Sequence, residues 1–463
     1  MVSIKPPPLP LRIDGRWVDA ATHADVHPGG RWLLEYARGR DVTAIFHAIH
    51  LFREDTAAAA LAKLPQLSQT QLKLPSKAGL PPSVLQHEGA LQGPYVFSLD
   101  EGQPAQAPLL PIRSQLRDDL RAMLRRRFSD RQAMKATPQH WVQTAIAGLA
   151  TIACWVGWLQ GSLVSTLLLP FVHWTFAAHT CHEATHGALS TDSTVNFWMQ
   201  FTAHPIIFNV FVWVPQHLLS HHQYTNDYQL DMDVHHFAPA RLSQAQPASE
   251  REEGPPPLLG NDGWHFVWKG CLTTLGTCIL QPLRTLTEKP TPNFSANITP
   301  VPAVVSKLVL LLSMLPSFFV LLYPLVAFLP TQPLHALFLT VWPWMGMSLI
   351  WTTMTQTSHV QEHCQPTEAG CWTANQIQTS LDYSRGERLA TTLTGGLNAQ
   401  SLHHAMPTIC CCHFPQIYEE YSSICAAHGV QVRSSDNLAT AMAECLDYVF
   451  HVNDPSAQPD SAS

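Results

Sequence analysis

The chain has 463 residues, of which 46% are hydrophobic and only 13% charged, with 25 histidines against 27 lysines and arginines and a formal net charge of −7. That balance leaves little solvated surface for a chain of this length and points to a membrane protein. The net charge gives no basic footprint and no RNA- or DNA-binding motif is present, so a nucleic-acid partner is excluded. The start, MVSIKPPPLPLRIDG, has no apolar core of signal-peptide length, which places the N-terminus in the cytosol. Eleven cysteines, an odd number, include the run Cys410 to Cys412. Adjacent thiols do not suit disulfide geometry, so reduced, cytosol-facing cysteines are expected.

Four stretches have the roughly 20 mainly apolar residues a bilayer span needs: Trp141 to Leu159, Ser162 to Ala178, Val304 to Phe328 and Leu334 to Thr357. Tight links, Gln160-Gly161 and LPTQP, join them as two helical hairpins, and neither link contains Lys or Arg. The segment before the first span, RSQLRDDLRAMLRRRFSDRQAMK, is rich in both. The positive-inside rule then puts the N-terminus, the long middle segment and the C-terminus in the cytosol. NFWMQFTAHPIIFNVFVWV and WHFVWKGCLTTLGTCIL are apolar but broken by polar groups or proline, and are read as interfacial or membrane-embedded helices that need not span. A Pro- and Gln-rich stretch at 64–111, the segment ARLSQAQPASEREEGPPP and the tail DPSAQPDSAS read as linkers or loops. The expected domains are 1–63, a linker at 64–111, a membrane domain at 112–451 and a disordered tail at 452–463.

Histidines cluster in four places, each near a predicted membrane boundary on the cytosolic side. HEATH sets His182 and His186 at i and i+4, on one helical face. HLLSHH holds His217, His221 and His222; QTSHV holds His359; QSLHH supplies Gln400, His403 and His404. Imidazole suits Fe, Cu, Zn and Ni, and eight histidines are too many for one ion, so two metals are implied. Glu183, Asp231 and Asp233 could orient rings through their free N–H groups or could be solvated. His173, His179, His204, His235, His236 and His363 fall outside the scheme and are assigned structural or supporting roles.

HEATH, HLLSHHQYTNDYQLDMDV and GGLNAQSLHHAMP resemble the three histidine boxes of membrane-bound fatty-acyl desaturases, over roughly residues 140–430. Gln400, where other branches have histidine, is similar to the front-end branch, which inserts a double bond between an existing one and the carboxyl end. The resemblance implies two non-haem iron ions, O2 as co-substrate and a fatty acyl substrate linked to phospholipid or CoA. Glu183 stands where the first box usually has Asp, and Ala-Met follows His404 where Leu-Phe is commoner. Ser-Leu in GGLNAQSLHH leans toward delta-5 enzymes acting on C20 chains.

IDGRWVDAATHADVHPGG followed by GRDVTAIFHAIH resembles a cytochrome b5 domain. By that likeness His27 and His50 are the axial ligands of haem b, with His47 the competing second ligand, while Gly29 and Gly30 let the backbone turn close to the haem. A bis-histidine haem moves electrons rather than activating oxygen, a tethered donor has high effective concentration, and NADH-cytochrome b5 reductase is the implied upstream partner. The expected fold is an α-helical integral membrane protein, four transmembrane helices with a cytosolic histidine cap, behind a small α+β cytochrome b5-like domain, in the endoplasmic reticulum. Two readings stay open beside it: a sphingoid-base desaturase or lipid hydroxylase using the same di-iron site, and a non-catalytic haem-binding membrane protein.

Overall fold

The computed structural model describes residues 8–67, 110–227, 231–244, 246, 258–287, 305–365 and 370–455. Most of the expected linker at 64–111, of ARLSQAQPASEREEGPPP and of the C-terminal tail lies outside the described residues.

Asp14 and Gly15 both adopt positive φ, 50° and 75°, the backbone a two-residue primed hairpin turn requires. They join β1 (Pro10–Ile13) to β2 (Arg16–Asp19) in antiparallel pairing. Three short helices follow, α1 (Arg31–Ala37), α2 (Thr43–Ile49) and α3 (Glu54–Leu61). Leu11, Ile13, Val18, Tyr36 and Ile45 are buried between them and the hairpin. Helix α4 (Gln115–Arg127) is capped by the Ser114 side chain and ends in three arginines, which suit its C-terminal dipole. Its buried Arg117 binds Glu54 at 2.8 Å, and Arg121 and Arg125 reach Asp55 at 2.7 and 2.8 Å. This fastens the N-terminal unit to the helical body.

Helix α5 (Pro138–Leu159) begins with a Thr137 cap, which accepts from the His140 N–H, and proline at its first position, which removes a donor that would otherwise be orphaned. Gly161 (φ 79°) turns the chain into α6 (Leu163–Ala177). A Cβ on Gly157 would lie 2.0 Å from the Ser165 hydroxyl, so glycine is what lets α5 and α6 close on each other. Four short helices come next: α7 (Ser193–Met199), α8 (Val210–Gln216), α9 (Gly263–Gly270) and α10 (Gln281–Thr287). Helices α11 (Lys307–Ser313) and α12 (Leu315–Phe328) follow, then α13 (Pro333–Thr355).

Among the described residues, three helical segments are long and apolar enough to cross a membrane: Pro138–Leu159, Lys307–Phe328 and Pro333–Ser358. The second expected span is shorter. Its α-helical part, α6, has 15 residues and runs directly into a wide π turn, Ala178–His182. Outward-facing apolar side chains nonetheless occur on all of these helices, among them Leu149, Val164, Val326 and Leu334 at 68, 68, 79 and 81% exposure. Such a belt fits hydrocarbon rather than water. Within the interrupted apolar stretches the helices α7 to α9 are short, and a π turn, Gly276–Leu280, runs on from the second stretch into α10.

The remainder packs against one end of the long helices: α14 (Trp372–Gln378), β3 (Leu381–Tyr383), α15 (Arg388–Thr394), α16 (Gln400–Ala405), α17 (Phe414–Ala427), β4 (Arg433–Ser435) and α18 (Leu438–Val452). β3 and β4 pair in parallel. α18 ends at Val452, and Asn453 is still held, donating to the Arg241 and Val449 carbonyls at 2.9 and 2.8 Å.

Candidate metal centre

All four histidine clusters meet at the end of the long helices. His182 closes the π turn that follows α6, and His186 comes a short turn later. His217 and His221 sit in a second π turn, His217–His221, that continues α8. His359 follows α13, while Gln400, His403 and His404 lie on α16. π turns are rare and concentrate at functional sites. Here the turn has a geometric consequence. In an α-helix His217 and His221 would share a face, but a π turn closes residue i onto i+5. His222 therefore returns to His217, Nε2 to Nε2 at 3.2 Å, and His221 is turned away.

The rings consequently sort into two sets. The ligand nitrogens of His182, His186, His217 and His403 all lie within 4.8 Å of one another, and those of His221, His359 and His404 do the same. His222 stands between: its Nε2 is 3.2 Å from that of His403, and its ring stacks on His404 with centroids 4.2 Å apart. Gln400 completes the second set, its amide 2.9 Å from His359 Nε2 and 3.2 Å from His404 Nε2.

Burial makes most of these rings poor bases. It lowers His182 and His359 to about 3 and drives His186, His217, His222, His403 and His404 well below the usual imidazole range, their neighbours adding repulsion. They are neutral and keep free lone pairs, the state a metal ligand needs. His221 is the exception: burial opposes its charge, yet Asp231 and Asp233 outweigh that and raise it to about 9. Asp231, fully buried, faces His221 Nδ1 at 3.0 Å. His359 Nδ1 meets the Thr379 carbonyl at 3.1 Å, and His404 Nδ1 meets Gln376 Oε1 at 2.9 Å. Each of these contacts leaves Nε2 directed to the second set, the outer support that metal-bound imidazoles use. In the first set His186 and His217 bring two nitrogens to 2.9 Å and Nδ1 of His182 and of His186 is buried without a hydrogen-bond partner, as is Oε1 of Gln400 in the second. Nitrogen-rich and buried, with every ring but His221 held neutral, the two sets fit a pair of first-row transition ions such as iron.

Gln376 was not found from sequence, because the helix WTANQIQ carries three amides and nothing in its pattern marks one of them. Glu183 does not reach a histidine of either set; it accepts from the Cys411 N–H at 2.9 Å. Asp233 stands 3.6 Å from His221 and accepts from Gln216 at 2.8 Å. His173 and His179 are tied to the carbonyls of Thr202 and Thr392.

Two cavities adjoin the sets. A narrow slot of about 40 Å³ is walled by Trp174, Phe208, Trp213 and Trp351 and reaches His182 and His217 of one set and His221, His359 and Gln400 of the other. A larger apolar cavity of about 350 Å³ is bordered by His27, Gly29, His50, Arg131 and Lys135, and also by His186. His27 and His50 face each other with ring centroids 6.1 Å apart. His50 Nδ1 is fixed by the Phe46 carbonyl at 2.7 Å, and His27 Nδ1 accepts from the Gly29 N–H at 3.2 Å. His47 does not join them; its two nitrogens are taken by Glu54 and Asp14, each at 3.0 Å.

Comparison with known proteins agrees with this geometry. The chain is 26% identical to an acyl-lipid omega-13 desaturase of Chlamydomonas reinhardtii, covering 93% of this chain and 90% of that one. It is 26% identical to an acyl-lipid (8-3)-desaturase of Mortierella alpina, over 95% and 92%. A Delta(5) fatty acid desaturase A of Dictyostelium discoideum is 23% identical over 96% and 91%. The fatty acid desaturase family model matches residues 155–436, more than half of the sequence. With two buried histidine sets at the foot of apolar helices, the chain belongs to the fatty acid desaturase family and is an oxidoreductase of that kind.

Proposed function

We propose that this protein is a front-end acyl desaturase, which places a cis double bond between an existing one and the carboxyl end of a polyunsaturated acyl chain, with C20 chains and the delta-5 position favoured. The observation that carries the reading is the aromatic slot touching both histidine sets. Its aromatic walls suit methylenes, and a chain lying there would present C–H bonds to both histidine sets at once. Two irons bound there supply the oxidising power, drawn from O2 and two electrons, that unactivated methylenes demand. His182, His186, His217 and His403 would hold one ion and His221, His359 and His404 the other, with His222 between them and Gln400 as a weak or water-mediated ligand of the second. Asp231 keeps the His221 ring oriented. Gln400 in the third box and the name of the Delta(5) relative support the regiochemistry.

The N-terminal unit is read as a cytochrome b5 domain. His27 and His50, whose ring centres stand 6.1 Å apart and which both border the larger apolar cavity, would hold the iron of a haem b, which would supply single electrons. The glycines beside His27 let the backbone approach a flat ring, and His186 borders the same cavity, so a donor seated there is one side chain from the metal centre. Reduction would come from NADH-cytochrome b5 reductase. The membrane domain is read as four spans in the endoplasmic reticulum with the metal centre on the cytosolic face.

Expression in yeast fed single polyunsaturated acids, with double bonds located by mass spectrometry, tests the activity. A new bond on the methyl side of existing ones, or a hydroxylated product, refutes the front-end reading. His27→Ala and His50→Ala should each abolish the reduced b-type spectrum while the non-haem iron stays, and His47→Ala should keep the haem; non-haem iron falling in step with haem contradicts the assignment. A reporter after residue 160 should face the lumen and one at the C-terminus the cytosol, and the reverse for either rejects the topology.

A further inference from the structure

Beside the two histidine sets lies a third group of ligand-type side chains that the desaturase chemistry does not use. Cys410 and Cys411 are fully buried, and so are His140, at the start of α5, and His179, in the π turn after α6. Ligand atoms of His140, His179 and Cys411 lie within 4.8 Å of one another, as do those of His140, Cys410 and Cys412, and those of Glu183, Cys410 and Cys411. We propose that His140, His179, Cys410 and Cys411 bind a structural zinc ion, a metal site separate from the catalytic pair.

Three observations converge on it. The first is distance. Tetrahedral zinc, with bonds of about 2.3 Å to sulfur and about 2.0 Å to nitrogen, sets each S···N pair about 3.6 Å apart. Cys411 Sγ stands 3.6 Å from His179 Nδ1, and Cys410 Sγ stands 3.9 Å from His140 Nε2. Orientation is the second. His179 Nε2 is engaged by the Thr392 carbonyl at 2.7 Å, which fixes the ring and leaves Nδ1 toward the thiol, the outer support typical of zinc-bound histidine. The third is the accommodation of the loop. The Cys411 N–H donates to Glu183 at 2.9 Å, and a Cβ on Gly396 would lie 2.4 Å from Cys411 Cβ, so a glycine is needed for that cysteine to sit where it does. Two sulfurs and two nitrogens are the donor set of structural zinc, whereas the catalytic sets are all nitrogen and amide. Binding replaces the two thiol protons, which leave to solvent, and no electron is exchanged.

The site joins three pieces of chain: the head of the first long helix, the turn that ends in His182, and the segment after His403 and His404. A metal there holds the first and third boxes in register from outside. It does not depend on the haem or substrate readings, since its ligands belong to neither.

Zinc and iron are measured by plasma mass spectrometry on the purified full-length protein from zinc-supplemented cells. About one zinc per chain is expected in addition to iron. The double variant Cys410→Ser, Cys411→Ser should lose the zinc and retain iron, while Cys271→Ser retains both. Should the double variant fail to fold, metal-stripped wild type titrated with Co2+ decides: thiolate charge-transfer absorption in the near ultraviolet that zinc displaces supports the site, because the catalytic sets contain no sulfur. Wild-type protein with neither zinc nor cobalt–thiolate absorption overturns the proposal, as does full zinc content in a folded double variant.

Discussion

Replacing Asp231 by asparagine removes one charge and no volume, and tests whether the second histidine set is held by its surroundings. One carboxylate oxygen faces His221 Nδ1 at 3.0 Å and the Asn226 N–H at 2.8 Å; the other accepts from the Asp233 N–H at 3.0 Å. An amide has a single acceptor oxygen, so at least one of these donors must face an NH2 group. If that donor is His221, a charge-assisted bond worth about 1.5–3 kcal/mol is lost and the ring is free to turn. At about 1.4 kcal/mol per factor of ten, this is a ten- to hundredfold weakening at the second set, the range seen when outer partners of metal ligands are changed. The first set does not touch Asp231, so its ion should remain. Asp231→Asn is therefore expected to purify with about half the wild-type non-haem iron and to recover activity as iron is added back. Asp233→Asn, whose carboxylate is 3.6 Å away and partly exposed, should lose only a few-fold. Iron content and turnover measured together on folded protein decide the matter. Wild-type values for Asp231→Asn, or equal losses for the two variants, refute the reasoning.

Gln400→Ala should reduce desaturation by roughly ten- to a hundredfold, since its amide contacts both His359 and His404. Gln400→His should keep some activity and His403→Ala none. Unchanged turnover in Gln400→Ala removes the residue from the metal centre. Burial raises Asp382 to about 6 although Ser401 and Tyr418 donate to it. Between its ordinary value near 4 and about 6 the folded state thus binds more protons than the unfolded one, so this carboxyl favours folding fully at low pH and the contribution fades as pH rises through that window. At about 1.4 kcal/mol per pH unit this amounts to roughly 3 kcal/mol. Urea unfolding in detergent from pH 4 to 7 should show that decline in wild type and a flatter profile in Asp382→Asn; identical profiles contradict it.

The sequence by itself determined the class of the protein and the identity of the clustered groups. Composition and hydropathy marked the long helices, because a bilayer demands uninterrupted apolar length that few soluble segments possess. The spacing of HEATH, HLLSHH and QSLHH marked the histidines, because imidazoles seldom crowd on one face without a ligand. How those histidines divide was decided by tertiary structure. His217 and His221, equivalent at helical spacing, go to different sets because their turn widens to i+5, and a periodicity argument that assumes an α-helix cannot register that change. A separate π turn, Ala178–His182, follows α6 and carries His182. His359, isolated in QTSHV, acquires its partners from elements 138 and 45 residues away, His221 and His404. Glu183, beside His182 in sequence, turns instead to Cys411, since its neighbours are set by which segments pack against the π turn. Local chemistry is written along the chain, whereas the grouping of ligands depends on contacts between distant segments and on departures from ideal helix geometry.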